Sequence, residues 1–407
     1  MLRGTNLEHA RVHNLRTVLE TIRLRGPLSR AEVARRTGLT PQTIGNLVHA
    51  LLDLGLVRES GARRRTRGRA SIQLEVHGPG AFCIGLDLDR GHLTAVLVDL
   101  DGTVHHRIHL DIIFPSPDRA LDLMVETVAA LAGKVERDRI WGVGVGVPGP
   151  LRITDGVVDN VTNPDGFPGW EHVSVAERLT ERLDFAVFLE NNATAAAIGE
   201  RFYGAGRDIG DFFYVFLGIG LGGGIVSGGQ PLRGWQGNTG EIGFMPVMPA
   251  REPGEYVGLH FDLFRLYALL EGSGCSIGSP AELAAVHFAR HPILLRWLDA
   301  AAERLAPMLL AVDYLIDPET IIFGGSWPVE MIDHLIERLE CLLPPLRYRF
   351  MPYAPSLVRA ETGPDAAALG VATLPLNALL SPFPTSLSEG RREQAVHHHP
   401  LSATGHA

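Results

Sequence analysis

The first residues that could do chemistry form a polar set between positions 42 and 49. Gln42, Thr43, Gly45, Asn46 and His49 recur at the spacing of one helix face. Gln and Asn can each make two hydrogen bonds to the edge of an adenine, and Thr can reach a base or a phosphate. A helix with such a face is typical of the second helix of a helix-turn-helix, which lies in the major groove of DNA.

A run of arginines follows this helix. Between positions 63 and 69 the run comprises Arg63, Arg64, Arg65, Arg67 and Arg69, and it is flanked by two strand-like segments. Arginines on such a hairpin would contact phosphates as the wing of a winged helix. An Arg run or a polar helix face is more often plain solvated surface, so the prediction depends on the elements around both.

Those elements occur in the order that a DNA-binding head requires. An apolar helical pattern over 8–24 ends at Gly26, and a capping box of Ser29 and Glu32 then opens a short helix that Gly38 closes. Thr40 caps a third helix, and the apolar positions of that helix share the face opposite the polar set: Ile44, Leu47, Val48 and Leu51. We therefore predict a winged helix-turn-helix over residues 1–75, with Gln42, Thr43 and Asn46 at the bases.

The charge distribution separates this head from the rest of the chain. The 407 residues carry 37 Lys and Arg against 46 Asp and Glu, a net charge of -9. Residues 1–75 hold 14 Arg and 6 acidic residues, net +8, which leaves 23 basic and 40 acidic residues, net -17, for 76–407. A basic segment attracts nucleic acid and an acidic one repels it, so we expect DNA contacts from the head alone.

Composition excludes several other classes of protein. With 45% hydrophobic and 20% charged residues, the chain is globular rather than disordered. Its three cysteines, Cys83, Cys275 and Cys341, form no close pair, which excludes a disulfide framework and a thiolate zinc site. No signal peptide and no apolar run of membrane-spanning length is present, so we expect a cytoplasmic protein that does not contact the membrane.

The body repeats one pattern of strand, turn and strand. It occurs first over 81–106 and again over 212–229, where the second copy contains a glycine loop from Gly218 to Gly224. An internal duplication of this kind predicts two related α/β lobes with a cleft between them.

The order of several motifs resembles the ROK family of bacterial sugar kinases and sugar-responsive repressors. The motifs are Asp87 in its strand, Gly144 to Pro150, Glu190 to Ala193, the loop Gly218 to Gly224, Arg233-Gly234 with Gly240 to Gly243, Asp317 to Gly325, and Ala366 to Gly370. The resemblance covers residues 10–375. It implies a two-lobed, actin-like and ribonuclease-H-like body, and the head places the chain with the repressors.

Departures from the kinase pattern predict a body without catalytic activity. Asp89 and Arg90 replace the two glycines of the kinases' first phosphate loop. Their Cβ atoms and the carboxylate of Asp89 stand where the phosphates would lie, so nucleotide binding is disfavoured. Asn192 stands where the kinases have the catalytic Asp, and an amide cannot act as a general base near neutral pH. Phe244 takes the place of a zinc-binding His and no cysteine follows as far as Gly274, so we expect no metal and no cofactor.

The sugar-binding part of the pattern is retained. Asn191 and Asn192 offer donors and acceptors for neighbouring hydroxyls, Glu241 offers a carboxylate, and Gly149 and Pro150 resemble a loop that lines the sugar site. An alternative interpretation is that Asn191 and Asn192 cap a helix that begins at Ala193, and that Glu241 pairs with Arg233.

The sequence as a whole predicts a winged head over 1–75, a two-lobed kinase-like body over 80–375 and a flexible tail over 376–407. The expected function is a sugar-responsive DNA-binding regulator of carbohydrate genes, a homodimer or homotetramer with operator DNA and a sugar or sugar derivative as partners. Two alternatives stay open, which are an ATP-dependent sugar kinase with a DNA-binding head and an interaction module whose cleft has lost its ligand.

Overall fold

The head of the protein is a small helical unit closed by a sheet. The computed structural model describes residues 7–63, 71–154, 157–161, 167–247 and 254–380. The head comprises α1 (Leu7–Arg25), β1 (Leu28–Ser29), α2 (Arg30–Thr37), α3 (Pro41–Asp53), β2 (Val57–Arg63) and β3 (Ser71–Val76). Its strands pair antiparallel in the order β1-β3-β2.

The caps of the head confirm the predicted helix ends. Ser29 and Glu32 form both hydrogen bonds of a capping box at the start of α2, and Gly38 ends that helix with φ +71°. The hydroxyl of Thr40 accepts from the backbone N–H of Thr43 at 3.2 Å. The predicted apolar face of α3 is buried. The predicted winged helix-turn-helix is therefore confirmed.

The first lobe of the body surrounds a mixed sheet. Its elements are β4 (Phe82–Leu88), β5 (His92–Asp99), β6 (Val104–Asp111), α4 (Pro117–Ala132), β7 (Ile140–Val147), β8 (Leu151–Thr154), β9 (Val157–Val161), β10 (Val173–Ser174), α5 (Val175–Thr180) and β11 (Val187–Asn191). The main sheet has the order β6-β5-β4-β7-β11, with β4, β7 and β11 parallel.

The second lobe repeats this topology. After α6 (Asn192–Tyr203) come β12 (Phe212–Leu217), β13 (Leu221–Ser227), β14 (Gln230–Pro231), α7 (Leu263–Glu271), α8 (Leu283–Phe288), α9 (Pro292–Ile316), β15 (Thr320–Gly325), α10 (Val329–Leu346), β16 (Ser356–Arg359) and α11 (Ala366–Leu380). The sheet order is β14-β13-β12-β15-β16, with β12, β15 and β16 parallel. Strand for strand this matches the first lobe, and it confirms the predicted duplication.

Helix α11 returns the chain from the second lobe to the first and packs closely against α6. A Cβ on Gly370 of α11 would overlap the carbonyl of Ala195 in α6, so glycine is required for this approach. The helix continues through Pro375 to Leu380, and the last apolar residues are buried. Residues 376–380, which the sequence assigned to the tail, are instead helical, because burial outweighs the helix-breaking effect of the proline. Residues 381–407, the rest of that predicted tail, lie outside the described residues.

Head and body share one apolar core. Leu19 and Val48 of the head belong to the same buried cluster as Val98 and Trp141 of the first lobe and Leu379 of α11. Among the described residues, no helix is long and apolar enough to cross a membrane.

Candidate functional site

The polar face of α3, which the sequence predicts to contact DNA and which we call the recognition face, is open to solvent. Gln42, Asn46 and His49 are exposed and Thr43 is half-buried. Among the described residues, nothing lies within 4 Å of the position that a Cβ would take on Gly45, so no described part of the chain covers the middle of this face. The structure therefore places the three predicted base-contacting residues together on one exposed helix face.

The predicted wing is a hairpin of β2 and β3. The strands pair antiparallel from Val57 opposite Val76 to Arg63 opposite Ser71. Arg63 ends β2, and the other four predicted phosphate contacts, Arg64, Arg65, Arg67 and Arg69, lie outside the described residues. The hairpin is where the sequence predicts it, and the assignment of its arginines to phosphates stays a prediction.

A cleft of about 100 Å³ lies between the two lobes, where β11 ends and α6 begins. Asn191 is the N-cap of α6, and its Oδ1 accepts from the backbone N–H groups of Ala193 at 2.8 Å and Thr194 at 3.1 Å. Its Nδ2 donates to Oε1 of Glu241 at 3.1 Å. One part of the alternative interpretation therefore holds, since Asn191 caps the helix, and Asn192 is the first helical residue.

The predicted ligand residues converge in this cleft. Asn192, Glu241 and Gly149 line it together with Asn191, whereas Pro150 is not among the described residues that line it. A side chain on Gly149 would overlap the side-chain ends of Glu241 and Asn191, so a larger residue here would displace both. Burial raises the pKa of Glu241 to about 7. Near neutral pH this carboxyl can therefore accept or donate a hydrogen bond.

Arg233 does not pair with Glu241. Its Nε donates to Oε2 of Glu190 at 2.7 Å, and Oε1 of Glu190 accepts from the backbone of Asn191. The part of the alternative interpretation that paired Glu241 with Arg233 is wrong. Glu190 precedes the cap residue at the end of β11, where it is fully buried and needs a cationic partner.

The turn between β4 and β5 bridges the lobes. Oδ2 of Asp89 accepts from the backbone N–H of Ile219 in the glycine loop at 3.3 Å. Arg90 donates to Oδ2 of Asp262, the N-cap of α7, at 3.3 Å. Asp89 is 3% exposed. Asp89 and Arg90 thus fasten this turn to the second lobe.

A second buried acid, Asp87, lies two residues before Asp89. Oδ2 of Asp87 lies 3.3 Å from Nε2 of His92, and burial raises the pKa of Asp87. Neither residue is among the described residues that line the cleft. Within the described ranges, no group of three or more His, Cys, Asp or Glu side chains is arranged to hold a metal ion.

Sequence reasoning missed several lining residues. Phe216, Tyr256 and Asp262 line the cleft, and the ring of Tyr256 lies 5.6 Å from that of Phe244. Asp262 contacts Arg90 although the two residues are 172 positions apart in the sequence. No periodic pattern in a sequence predicts a contact over such a separation. Its position before an apolar helical run could have identified it as a helix cap but not as a partner of Arg90.

Comparisons with known proteins match both parts of the chain. A model of the ROK family matches residues 83–258, and a model of the MarR family matches residues 16–66. The uncharacterized protein y4fQ of Sinorhizobium fredii is 28% identical over 371 residues, which cover 89% of this chain and 90% of that protein. The xylose repressor of Bacillus spizizenii is 26% identical over 240 residues, 58% of this chain and 60% of the repressor. The chain thus spans about three fifths of the length of that repressor.

The fold has a close counterpart among solved structures. The crystal structure of a ROK family transcriptional regulator, a homolog of the E. coli Mlc protein, has a TM-score of 0.72 and 22% sequence identity. The match covers 95% of this chain and 99% of that one. At this level of identity the likeness concerns the fold, and it extends over head and body together.

Proposed function

The chain belongs to the ROK family and carries a MarR-type winged-helix head, and from that premise we propose that it is a transcriptional regulator whose affinity for operator DNA responds to a sugar. The observation that carries this proposal is a single apolar core that joins an exposed polar recognition face to a body with a polar cleft. We propose repression of carbohydrate genes rather than their activation, because the chain is similar to a xylose repressor.

In this proposal DNA is read by α3. Gln42, Thr43 and Asn46 contact base edges, while the arginines of the β2–β3 hairpin contact phosphates. One such head offers few base contacts, so specific binding requires two heads on paired half-sites. We therefore propose a homodimer or homotetramer, acting in the cytoplasm.

The sugar is held in the interlobe cleft. Asn192 and Glu241 line it with polar groups, and Asn191 positions Glu241 through the hydrogen bond from its Nδ2. Amide and carboxyl groups side by side can satisfy neighbouring hydroxyls of a sugar, each of which donates one hydrogen bond and accepts others.

We propose that the body does not transfer phosphate. The Asp89 carboxylate accepts the Ile219 N–H that a phosphate oxygen would otherwise take in the glycine loop, and Asn192 cannot remove a proton from an attacking hydroxyl. The same substitutions leave the hydrogen-bonding groups of the cleft in place. A body of this kind would bind a sugar without consuming it, as a sensor requires.

Selection of genomic DNA fragments on the purified full-length protein tests this proposal. We expect a small set of fragments that contain paired half-sites beside carbohydrate genes, and a change in their affinity when one sugar of a panel is added. Fragments without sequence preference would contradict the DNA-reading assignment. Hydrolysis of ATP that depends on a sugar would instead favour the kinase alternative.

A further inference from the structure

We propose that the cleft accepts sugars that lack a phosphate group and rejects their phosphate esters. This inference rests on the proposed function, because it concerns the same cleft and names the class of effector that the cleft can hold. It is drawn from the charged side chains that line the cleft and from two backbone donors of the adjacent glycine loop.

The cleft is lined by more acidic than basic side chains. Asp89, Glu241 and Asp262 are the acids among its described lining residues, and Arg90 is the cation. Arg90 already contacts Asp262, and both side chains are largely shielded from solvent. A phosphate ester brings a charge of roughly -1.5 to -2 at pH 7, so it would enter a site with no uncommitted cation among these residues.

Two backbone donors of the glycine loop beside the cleft are also occupied. The N–H of Ile219 donates to Asp89, and the N–H of Gly218 donates to the carbonyl of Gly220 at 3.0 Å. A glycine loop binds phosphate by presenting such groups to it. Here the protein's own carboxylate takes that place, and it is almost completely buried.

The uncharged groups of the cleft, together with the partly protonated Glu241, suit an unmodified sugar. Asn192 contributes an amide, and Glu241 contributes a carboxyl that burial leaves partly protonated near pH 7. The rings of Phe216 and Tyr256 provide apolar surface on the same cleft, against which the C–H face of a sugar ring can pack.

One side chain allows the electrostatic argument to be tested directly. Oδ1 of Asp262 caps α7 by accepting from Phe264 at 2.9 Å and Arg265 at 3.2 Å, while Oδ2 pairs with Arg90. Asn is as good an N-cap as Asp, so Asp262→Asn keeps the cap and removes the charge. The change leaves Arg90 without its anionic partner and available to a phosphate.

The experiment is calorimetric titration of the full-length protein with matched pairs of ligands. The pairs are glucose and N-acetylglucosamine with their 6-phosphates, xylose with its 5-phosphate, and inorganic phosphate alone. We expect the wild-type protein to bind one of the neutral sugars at least tenfold more tightly than its ester. Asp262→Asn should reduce that ratio at least fivefold. Asp118→Asn on α4, which removes the same charge from an exposed pair with Arg178 on α5, should leave it unchanged.

The possible results distinguish a failure of this inference from a failure of the proposed function. An ester bound as tightly as its sugar by the wild-type protein would overturn the discrimination while leaving sugar sensing intact. An unchanged ratio in Asp262→Asn would overturn its electrostatic cause. If neither sugars nor esters bind, both this inference and the sugar-sensing half of the proposed function fail, and DNA reading is judged by fragment selection alone.

Discussion

Among single residues, substitution of Asn46 distinguishes contacts to bases from contacts to phosphates. It is exposed in the middle of the polar face of α3, and in the proposed function its amide contacts one base pair. We predict that Asn46→Ala weakens operator binding about tenfold to a hundredfold, because one bidentate base contact contributes roughly 1–3 kcal/mol, and leaves binding to random DNA unchanged.

Arg67→Ala is the matched contrast to this variant. It should weaken binding to all sequences alike and reduce the dependence of affinity on salt. Fluorescence anisotropy on operator and random duplexes at several salt concentrations measures both effects. Equal losses on the two duplexes for Asn46→Ala would contradict the placement of α3 in the groove.

Glu241 makes the stability of the folded protein depend on pH. Burial raises its pKa from the ordinary value of 4.5 to about 7, so the folded protein keeps a proton that the unfolded chain has lost. Its stabilising contribution is therefore fully present below about pH 4.5 and is lost as the pH rises through 7. The whole effect is at most about 3 kcal/mol and is smaller where the carboxyl meets solvent in the cleft.

Replacing Glu241 with Gln should remove this dependence while keeping an oxygen that accepts from Asn191. Between pH 5 and pH 8 we expect the wild-type protein to lose about 1–2 kcal/mol of unfolding free energy relative to Glu241→Gln, measured by urea denaturation. The exposed Glu126 on α4 provides the control, since Glu126→Gln should follow the wild type at both values. A constant difference between wild type and Glu241→Gln would contradict the raised pKa.

At the scale of elements, α6 connects the cleft to the head. Its first residue lines the cleft, and its last turn contacts α1, where the guanidinium of Arg23 lies 5.3 Å from the ring centroid of Phe202. Arg23 is held by two hydrogen bonds to Glu20 of the same helix, at 2.7 and 2.8 Å. Over 12 residues the helix spans about 18 Å, so a shift at Asn192 would move a contact at the head.

We predict that Phe202→Leu weakens the coupling between sugar and DNA. Leu keeps apolar volume at this position but removes the ring face that Arg23 contacts. The affinities for sugar alone and for DNA alone should each stay within about twofold, while the change in DNA affinity caused by the sugar becomes smaller. Phe288→Leu, at a side chain that is 88% exposed on the second lobe, serves as control. Full coupling in Phe202→Leu would exclude this contact as the connection.

The elements of the head could be predicted from the sequence almost completely, whereas the cleft could not. Caps such as Ser29 and Thr40 act over three residues, and such local signals determine where helices begin. The partner of Arg233 and the contact of Arg90 with Asp262 depend on how distant strands and helices come together. Helix α11 passes through Pro375 for a similar reason, since packing that the local pattern does not encode stabilises it.

In the whole molecule, net charge distinguishes the head from the body, whereas the apolar core joins them. The net charge of +8 on residues 1–75 and of -17 on the remainder distinguishes a part that attracts DNA from a part that repels it. The apolar core nevertheless runs across the boundary between these parts and includes the last described helix. A movement of the body can therefore reach the head through packed side chains, while in the proposed function only the head contacts DNA.

This shared core predicts that head and body unfold together. Leu379 is 1% exposed in the cluster that joins α11 to the head, so Leu379→Ala should lower the unfolding free energy by about 2–5 kcal/mol through lost burial and the cavity left behind. Because all five tryptophans lie in the body and one of them, Trp141, belongs to this cluster, the tryptophan fluorescence and the loss of DNA binding should change at the same urea concentration, in wild type and variant alike. Leu315→Ala, at a position 80% exposed on α9, should change stability by less than about 0.5 kcal/mol. Loss of DNA binding well before the fluorescence change would mean that the head unfolds on its own, and then a rigid connection could not carry the sugar signal to α3.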